Sequence, residues 1–488
     1  MNRRDFFKAA GFVGISCVLP GCSTAVWQTE NIGSKEKPNI IVLFADDLGY
    51  GDLGSYGHPT ISTPNIDRMA YEGQRWTNFY AASSLCSPSR AGLMTGKYPI
   101  RSGTDGHVFF EWSADGLSSK EITVAEMLKR QGYKTSCVGK WHLGHQPEFL
   151  PTNQGFDEYF GIPYSNDMRV DPYMQVAEKI NLRNGVTLEQ MRDPQKRKND
   201  WVPLMEDEVV VEYPCDQTTL TKRYTERCVD YIKENRDEPF FLYMAHSFPH
   251  VPLFASDEFL GKSRRGLYGD VVEELDASVG TILQTLRDLN LDKNTLVVFT
   301  SDNGPWLSKF EKGGSAGLLR GGKGQTFEGG MREPCIFWWP GHIQAGSVVR
   351  DIGSTLDFYK TFGVLAGAGV PGEHAVDSYD LSSAILGSGE SLRKDFFYYR
   401  NNEIYAVRYG MWKAHFITEG SFRQGPEKTC HQQPLLYHLG QDPSEKYDVS
   451  KEHPDVIKNI RELKEKHCAG VEAVASRYEK KFDWKESK

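Results

Sequence analysis

Two polar pairs in the chain, with three carboxylates between them, are placed to share one ligand. Asp46 and Asp47 close the apolar run "NIIVLFADD", and Asp302 and Asn303 close "NTLVVFTSDNG". Consecutive residues of a regular strand face opposite sides, so a pair converges only where the strand end bends. Three carboxylates at one point need a cation, because each like-charged pair at ~4 Å costs about 4 kcal/mol at an effective dielectric near 20. Oxygen ligands select Ca²⁺ or Mg²⁺ over zinc. Taken alone, "DDLG" suits a turn equally well. Cys86 lies in "SSLCSPSRAGLMTG". Ser87 and Pro88 read as a helix start and Gly96 as its stop, which puts Cys86 at a helix N-terminus, where backbone N–H groups favour an anion. By itself that describes a reactive thiol or an ordinary buried one. Lys140 and His142 end "KTSCVGKWH", alternating onto one strand face, and His246 and His250 end "PFFLYMAHSFPH". For His246 a structural role is favoured.

Each of these groups follows an apolar run, and helical patterns separate the runs. "TPNIDRMAYEG" has Thr63 as N-cap and Ile66, Met69 and Ala70 on one face; "EITVAEMLKRQG" and "GDVVEELDASVGTILQTLRDL" are two more. Continuous apolar strands alternating with helices predict an α/β fold, a large, mostly parallel mixed sheet sandwiched by helices. The site then lies beyond the carboxyl ends of the strands. After "GVPGEHAVDSYDLSSAILG" the pattern becomes "DFFYYR", "IYAVRYG", "MWKAHFI" and "PLLYHLG". This predicts a smaller C-terminal domain with a four-stranded antiparallel sheet and a terminal helix from about residue 452. The expected division is 37–385 for the main domain and 386–488 for the antiparallel-sheet subdomain. The charged stretch 166–215 reads as a long excursion near the site or as a solvated surface loop. The tail "RYEKKFDWKESK" reads as a solvated end.

The net charge of −8 over 488 residues gives no general attraction for nucleic acid or acidic membranes, and no nucleic-acid partner is expected. Residues 1–36 read as a signal and tether. Arg3-Arg4 precede an apolar run too short to span a bilayer, a pattern of twin-arginine export. "LPGC" ending at Cys22 resembles a bacterial lipobox. The expectation is an exported bacterial lipoprotein, in the periplasm or at the outer membrane or cell surface, held to the membrane by its lipid alone. Export permits disulfides, but no cysteine spacing suggests zinc. Cys137 and Cys335, in apolar runs, read as free core thiols.

The set "CSPSR" (86–90), "PNIIVLFADDLGYGDLGSYG", "TPNIDRMAYEG", "GKWHLG", "GFDEYFGIPYS", "TSDNGP" and "GKGQTFEGGMREPCIFWWPGHI" resembles, in order, the blocks of the sulfatases of the alkaline-phosphatase superfamily. The likeness is greatest to the arylsulfatase branch acting on sulfated galactose-type sugars. It covers about residues 37–450. The resemblance implies that a maturation enzyme oxidises Cys86 to formylglycine. One hydroxyl of its hydrate attacks sulfur and the other expels sulfate. It implies one Ca²⁺ held by Asp46, Asp47, residue 86, Asp302 and Asn303, with Arg90 holding the diol. Lys140, Lys323 and Ser165 would bind sulfate. His142 would take the proton as sulfate is expelled, and His250 would act as general acid to the leaving alcohol. The implied substrate is a carbohydrate sulfate, cut from galactose or N-acetylgalactosamine ends. The alternatives are a phosphate or phosphonate monoester hydrolase of the superfamily, or an inactive surface binding protein. Two departures stand out. Gly321 occupies a position where relatives carry Cys, so Cys430 lacks the partner that the family pairs it with. Residues 166–215 have no counterpart pattern.

Overall fold

Asn39–Ala45 is buried at every position. Ile40, Val42 and Phe44 enter one core, while Ile41, Leu43 and Ala45 enter another. A strand apolar on both faces belongs inside a sheet covered on both sides. The computed structural model describes residues 37–369 and 377–482 and has that architecture. With Asn39–Ala45 as β1, the following strands are β2 (Gln74–Tyr80), β3 (Lys134–Gly139), β4 (Glu158–Gly161), β5 (Val176–Leu182), β6 (Leu204–Glu206) and β7 (Val209–Tyr213). Next come β8 (Phe240–Ala245), β9 (Thr295–Ser301), β10 (Arg332–Trp338) and β11 (Ser347–Ser354). They form one eleven-stranded sheet in the order β11-β2-β10-β9-β1-β8-β3-β4-β6-β7-β5. Its centre, β9-β1-β8-β3-β4, is parallel. One core takes in residues of helices Cys86–Thr95, Val124–Lys129 and Asp357–Leu365. The opposite core takes in those of Pro64–Glu72, Leu220–Glu234 and Leu267–Asp288.

Register decides what emerges at the sheet edge. Ala45 lies opposite Ser301, Phe44 opposite Ala245, and Gly139 opposite Ala245. The pairing runs one residue further. The N–H of Asp302 donates to the Ala45 carbonyl (3.1 Å), that of His246 to Phe44 (2.8 Å), and that of Lys140 to Ala245 (2.7 Å). Asp46, Asp302, His246 and Lys140 therefore leave the sheet side by side at its carboxyl edge, where parallel sheets place ligands.

Three local readings change. β3 stops at Gly139, whose φ is +111° and where a Cβ would lie 1.8 Å from the Ala245 carbonyl oxygen. Lys140 and His142 thus do not alternate along a strand; they leave a turn, with His142 itself left-handed (φ 64°). Thr63 precedes its helix without capping it; its hydroxyl donates to Asp67 and accepts from the Gly54 N–H. Stretch 166–215 is not a surface loop. It contributes β5, β6 and β7, with β6 antiparallel to β4. Its periodicity is faint because β6 has only three residues and β5, at the sheet edge, buries none of its seven fully.

The C-terminal strands β12 (Asp395–Arg400), β13 (Glu403–Tyr409), β14 (Trp412–Thr418) and β15 (Thr429–His438) form the expected antiparallel sheet, in sequence order. Helix Pro454–Ala469 contributes Ile457 and Ile460 to the core beneath it. That core also takes Tyr80 and Tyr98 from the main body. The expected division at 385/386 falls between helix Ser382–Ile385 and β12. The described residues from 37 on form one compact unit.

The tail through 482 is not a solvated end. Tyr478 is half-buried and donates to the Thr104 carbonyl (2.6 Å), Arg477 pairs with Asp115, and the Phe482 N–H donates to Trp112 (2.9 Å). The export signal, with Arg3, Arg4 and Cys22, lies outside the described residues. Among those described, no helix is long and apolar enough to cross a membrane.

Candidate active site

Helix Cys86–Thr95 ends at Gly96 in the left-handed conformation and is buried throughout. Its first residue is brought onto the carboxyl edge of the sheet. Cys86 Sγ lies 3.5 Å from Asp46 Oδ1, 3.9 Å from Asp47 Oδ1 and 3.4 Å from Lys323 Nζ. Consecutive aspartates converge here because Asp47 adopts φ 64° and so escapes strand alternation. Lys140 Nζ donates to Asp46 Oδ2 (2.6 Å) and lies 3.5 Å from Ser165 Oγ. Lys323 Nζ reaches both oxygens of Asp47, at 2.7 and 2.8 Å. Arg90 does not hydrogen-bond Sγ. It holds Asp302 Oδ2 through Nε (3.1 Å) and a terminal nitrogen (2.9 Å), and donates to the Lys140 carbonyl (2.7 Å).

The two histidines have defined tautomers. His142 Nε2 faces the Phe109 carbonyl at 3.0 Å; a carbonyl only accepts, so Nε2 carries the hydrogen. His142 Nδ1 is buried and has no partner among the described residues. His250 Nδ1 faces Asn166 Oδ1 at 3.0 Å. The Asn166 amide nitrogen donates to Gln217 Oε1 and the Pro252 carbonyl, which fixes its oxygen toward His250 and makes Nδ1 the donor. His250 Nε2 then lies 3.7 Å from Asp47 Oδ2, with Ser165 Oγ 3.4 Å from the ring. His246 takes no part in this set. Burial pushes its pKa down to about 4, and both ring nitrogens lack partners among the described residues.

Burial sets the electrostatics. It pushes the Cys86 thiol well up, against the pull of Lys140 and Lys323. Burial also favours neutral Asp46, but Lys140, His250 and Arg90 outweigh it and hold that carboxyl well below the usual range. Asp302 is pushed up to about 7, by burial and then by Asp46, despite Arg90. Burial, then Lys140, holds His142 well down; burial, then Lys323, lowers His250. Burial opposes a charged Lys323, but Asp47 more than compensates and keeps it protonated.

The residues fit a hard cation. Ligand atoms of Asp46, Asp47, Cys86 and Asp302 lie within 4.8 Å of one another. Asn303 Oδ1 is buried with no partner among the described residues, while its amide nitrogen donates to Asp47 Oδ1 (2.7 Å). All donors except sulfur are oxygens, the set that Ca²⁺ takes.

Several participants escaped sequence reading. Asn166 directly follows Ser165, but nothing in its type marks it as orienting His250. Trp306 lies 5.5 Å from the His250 ring, and Lys323 Nζ lies 4.7 Å from the Trp306 centroid. Phe109, in "HVFFEW", acts through its backbone, which composition cannot reveal. At Gly321, φ is +76° and a Cβ would lie 2.5 Å from Gln325 Oε1. Cys430, on β15, is exposed and forms no disulfide among the described residues.

Comparison with known proteins bears on the whole arrangement. Residues 38–368 match the sulfatase family model, and 391–487 match that of the C-terminal region of aryl-sulfatase. The chain is 42% identical to human (Homo sapiens) arylsulfatase A, covering 87% of each. It is 42% identical to N-acetylgalactosamine-6-sulfatase of Sus scrofa, covering 89% of this chain and 86% of that protein. The crystal structure of Ps i-CgsB in complex with k-i-k-neocarrahexaose aligns with a TM-score of 0.76 at 31% identity, covering 92% of this chain and 96% of the other. The cysteine, the converging aspartates and the two lysines thus sit in a fold and a sequence shared with these proteins: the chain belongs to the sulfatase family and is a sulfuric ester hydrolase.

Proposed function

We propose that the enzyme cleaves carbohydrate sulfates, of galactose or N-acetylgalactosamine type, through a formylglycine made from Cys86 and with one Ca²⁺. The observation that carries this is the contradiction at residue 86. The side chain stands at the focus of two lysines and three carboxylates, yet burial disfavours its thiolate, and a protonated thiol is a poor nucleophile. Once oxidised and hydrated, residue 86 supplies one hydroxyl to attack sulfur and a second through which sulfate leaves. Asp46, Asp47, Asp302, Asn303 and residue 86 would hold the ion, whose charge neutralises sulfate oxygens and favours an ionised hydroxyl.

The remaining work falls to the chain's own groups. Lys140 and Lys323 present ammonium groups to the sulfate, with Ser165 as a neutral donor beside Lys140. Arg90 fixes the Asp302 carboxylate. His142, held by the Phe109 carbonyl, accepts a proton at Nδ1 from the group at position 86. His250, held by Asn166, delivers a proton from Nε2 to the leaving alcohol; the anionic ester beside it favours the protonated ring. The name of one relative specifies an N-acetylgalactosamine sulfate, and a structural neighbour was solved with an oligosaccharide. Both support a glycan substrate. Export as a lipid-anchored protein belongs to the same proposal, and Cys22→Ser should release it from membranes.

The test has two parts. Mass spectrometry of the Cys86 peptide from active enzyme should find the aldehyde. Sulfated mono- and oligosaccharides, aryl sulfates, a sulfolipid and phosphate monoesters at equal concentration should rank with carbohydrate sulfates first in kcat/KM. An unmodified thiol in fully active protein, or phosphate esters ranking first, would reject the reading.

A further inference from the structure

Between β14 and β15 the chain makes a two-residue turn whose tip lies at the mouth of the site. Ser421 and Gln424 exchange backbone hydrogen bonds (2.8 and 2.9 Å), with Phe422 (φ 51°) and Arg423 (φ 65°) between them. Such tight turns with two positive φ values favour Asn and Gly, which adopt that backbone at low cost. An aromatic and a long cation stand there instead, and Phe422 is 41% exposed. Arg423 is exposed and makes no ion pair among the described residues. Strain at an exposed aromatic calls for a function.

The tip is built onto the site. Gln325 donates to the Gln424 carbonyl (3.1 Å). A Cβ on Gly324 would lie 2.2 Å from Ser421 Oγ, so the turn packs directly on the loop bearing Lys323. The Gly324 N–H in turn donates to the Ser84 carbonyl (2.8 Å), two residues before Cys86. The Phe422 ring lies 4.7 Å from Trp306, the indole that touches both His250 and Lys323. Lys309 Nζ also lies over that indole, at 4.2 Å.

We propose that this tip reads the glycan. Phe422 packs on the C–H face of a sugar ring of the leaving alcohol, and Arg423 pairs with a second anionic group, sulfate or carboxylate, on the adjoining sugar. The substrate class is therefore a multiply anionic oligosaccharide. This rests on the carbohydrate-sulfatase reading above. Weak C–H contacts with an aromatic face orient a sugar, and an exposed cation discriminates by charge.

The test compares Phe422→Ala, Phe422→Gly, Phe422→Tyr and Arg423→Gln with wild type in the full chain. Substrates are 4-nitrophenyl sulfate, a singly sulfated monosaccharide and a multiply sulfated oligosaccharide. Phe422→Ala should lower kcat/KM on the oligosaccharide by about tenfold, the scale of one aromatic contact, and leave the aryl sulfate within about twofold. Phe422→Gly should do the same while raising the melting temperature, because glycine relieves the positive φ; a purely structural residue would not separate the two. Phe422→Tyr should restore turnover. Arg423→Gln should affect only the multiply anionic substrate and flatten its salt dependence. Alanine and glycine variants that keep oligosaccharide turnover at the wild-type level, or lose aryl and oligosaccharide turnover equally, would overturn the inference alone. Wild-type enzyme that hydrolyses aryl sulfate but no carbohydrate sulfate would overturn the reading beneath it as well.

Discussion

Two clusters of buried charge in this molecule follow opposite rules. One joins the antiparallel sheet to the main one. Glu328 accepts from Tyr80 (2.6 Å), Tyr398 (2.7 Å) and Lys413 (3.0 Å). Glu445 accepts from His415 (2.6 Å), Lys413 (3.0 Å) and the Glu328 N–H (2.7 Å). Every oxygen of these two carboxylates has a partner. The other cluster is the site. Asp46, Asp47 and Asp302 face Lys140, Lys323 and Arg90, but Asn303 Oδ1, His142 Nδ1 and both carboxyl oxygens of nearby Glu333 lack partners among the described residues. Burial of charge is costly in both. In the first the chain itself pairs every carboxylate oxygen, leaving only His415 Nδ1 without a partner among the described residues, and this fastens two sheets together. In the second, capacity is left open for what binds.

The largest expected effect tests that contrast at residue 86. Cys86→Ala should lower sulfate-ester turnover by about 10⁴-fold or more, as loss of a nucleophile does, and leave the melting temperature close to wild type. A large drop in melting temperature would erase the distinction between the clusters. Next come the histidines. His250→Ala should cost about 10²- to 10⁴-fold on carbohydrate sulfates and less on aryl sulfates, whose phenol leaves without much protonation. His142→Ala should allow attack but leave sulfate trapped on residue 86, visible by mass spectrometry. Equal losses on both substrates and no adduct would reverse these roles.

At the joining cluster the pattern should invert. Lys413→Met strands two buried carboxylates and should cost about 3–5 kcal/mol of stability, measured by denaturant melts, with kcat/KM of the folded fraction unchanged. Added Ca²⁺ at about a hundredfold excess over its Kd should stabilise wild type by about 2.7 kcal/mol. Asp302→Ala should lose that increment and Lys413→Met should keep it. The smallest effect is on acid stability. Burial favours neutral Glu328 and Glu445, but Lys413 and the neighbouring cations hold Glu328 well below its ordinary 4.5 and lower Glu445 as well. The unfolded chain therefore binds more protons near and below that pH, and stability falls as pH drops through the window. His415 lies below its ordinary 6.5, chiefly through burial, so its share is lost in the same direction, starting higher. Lys413→Met should shallow the acid slope; an unchanged slope would remove this cluster as its source.

The sheet and its chemistry were legible because they rest on short-range pattern. β1, β8 and β9 each carry a continuous apolar stretch, and Asp46, His246 and Asp302 follow directly from the strand ends. Cys86 was legible through Pro88 and Gly96. Three things were not. The turn after Gly139 depends on how closely two backbones approach, so the alternation expected of Lys140 and His142 failed. Stretch 166–215 hides three strands because an edge strand needs little hydrophobicity. The roles of Asn166 and of the Phe109 carbonyl arise from tertiary hydrogen bonds, one of them on a backbone atom that no residue type announces.

The packing of Tyr478 has a consequence in time. Its ring lies 4.5 Å from that of Phe109, whose carbonyl orients His142, and its hydroxyl bonds a residue 374 positions earlier. During synthesis the aspartates, the cysteine and both histidines leave the ribosome long before residue 478 does. The wall behind His142 is thus absent through most of translation. A nascent chain can fold its central strands and still hold that histidine unbacked, so a stall or cleavage shortly before residue 478 would yield a nearly complete sheet with an unsupported His142.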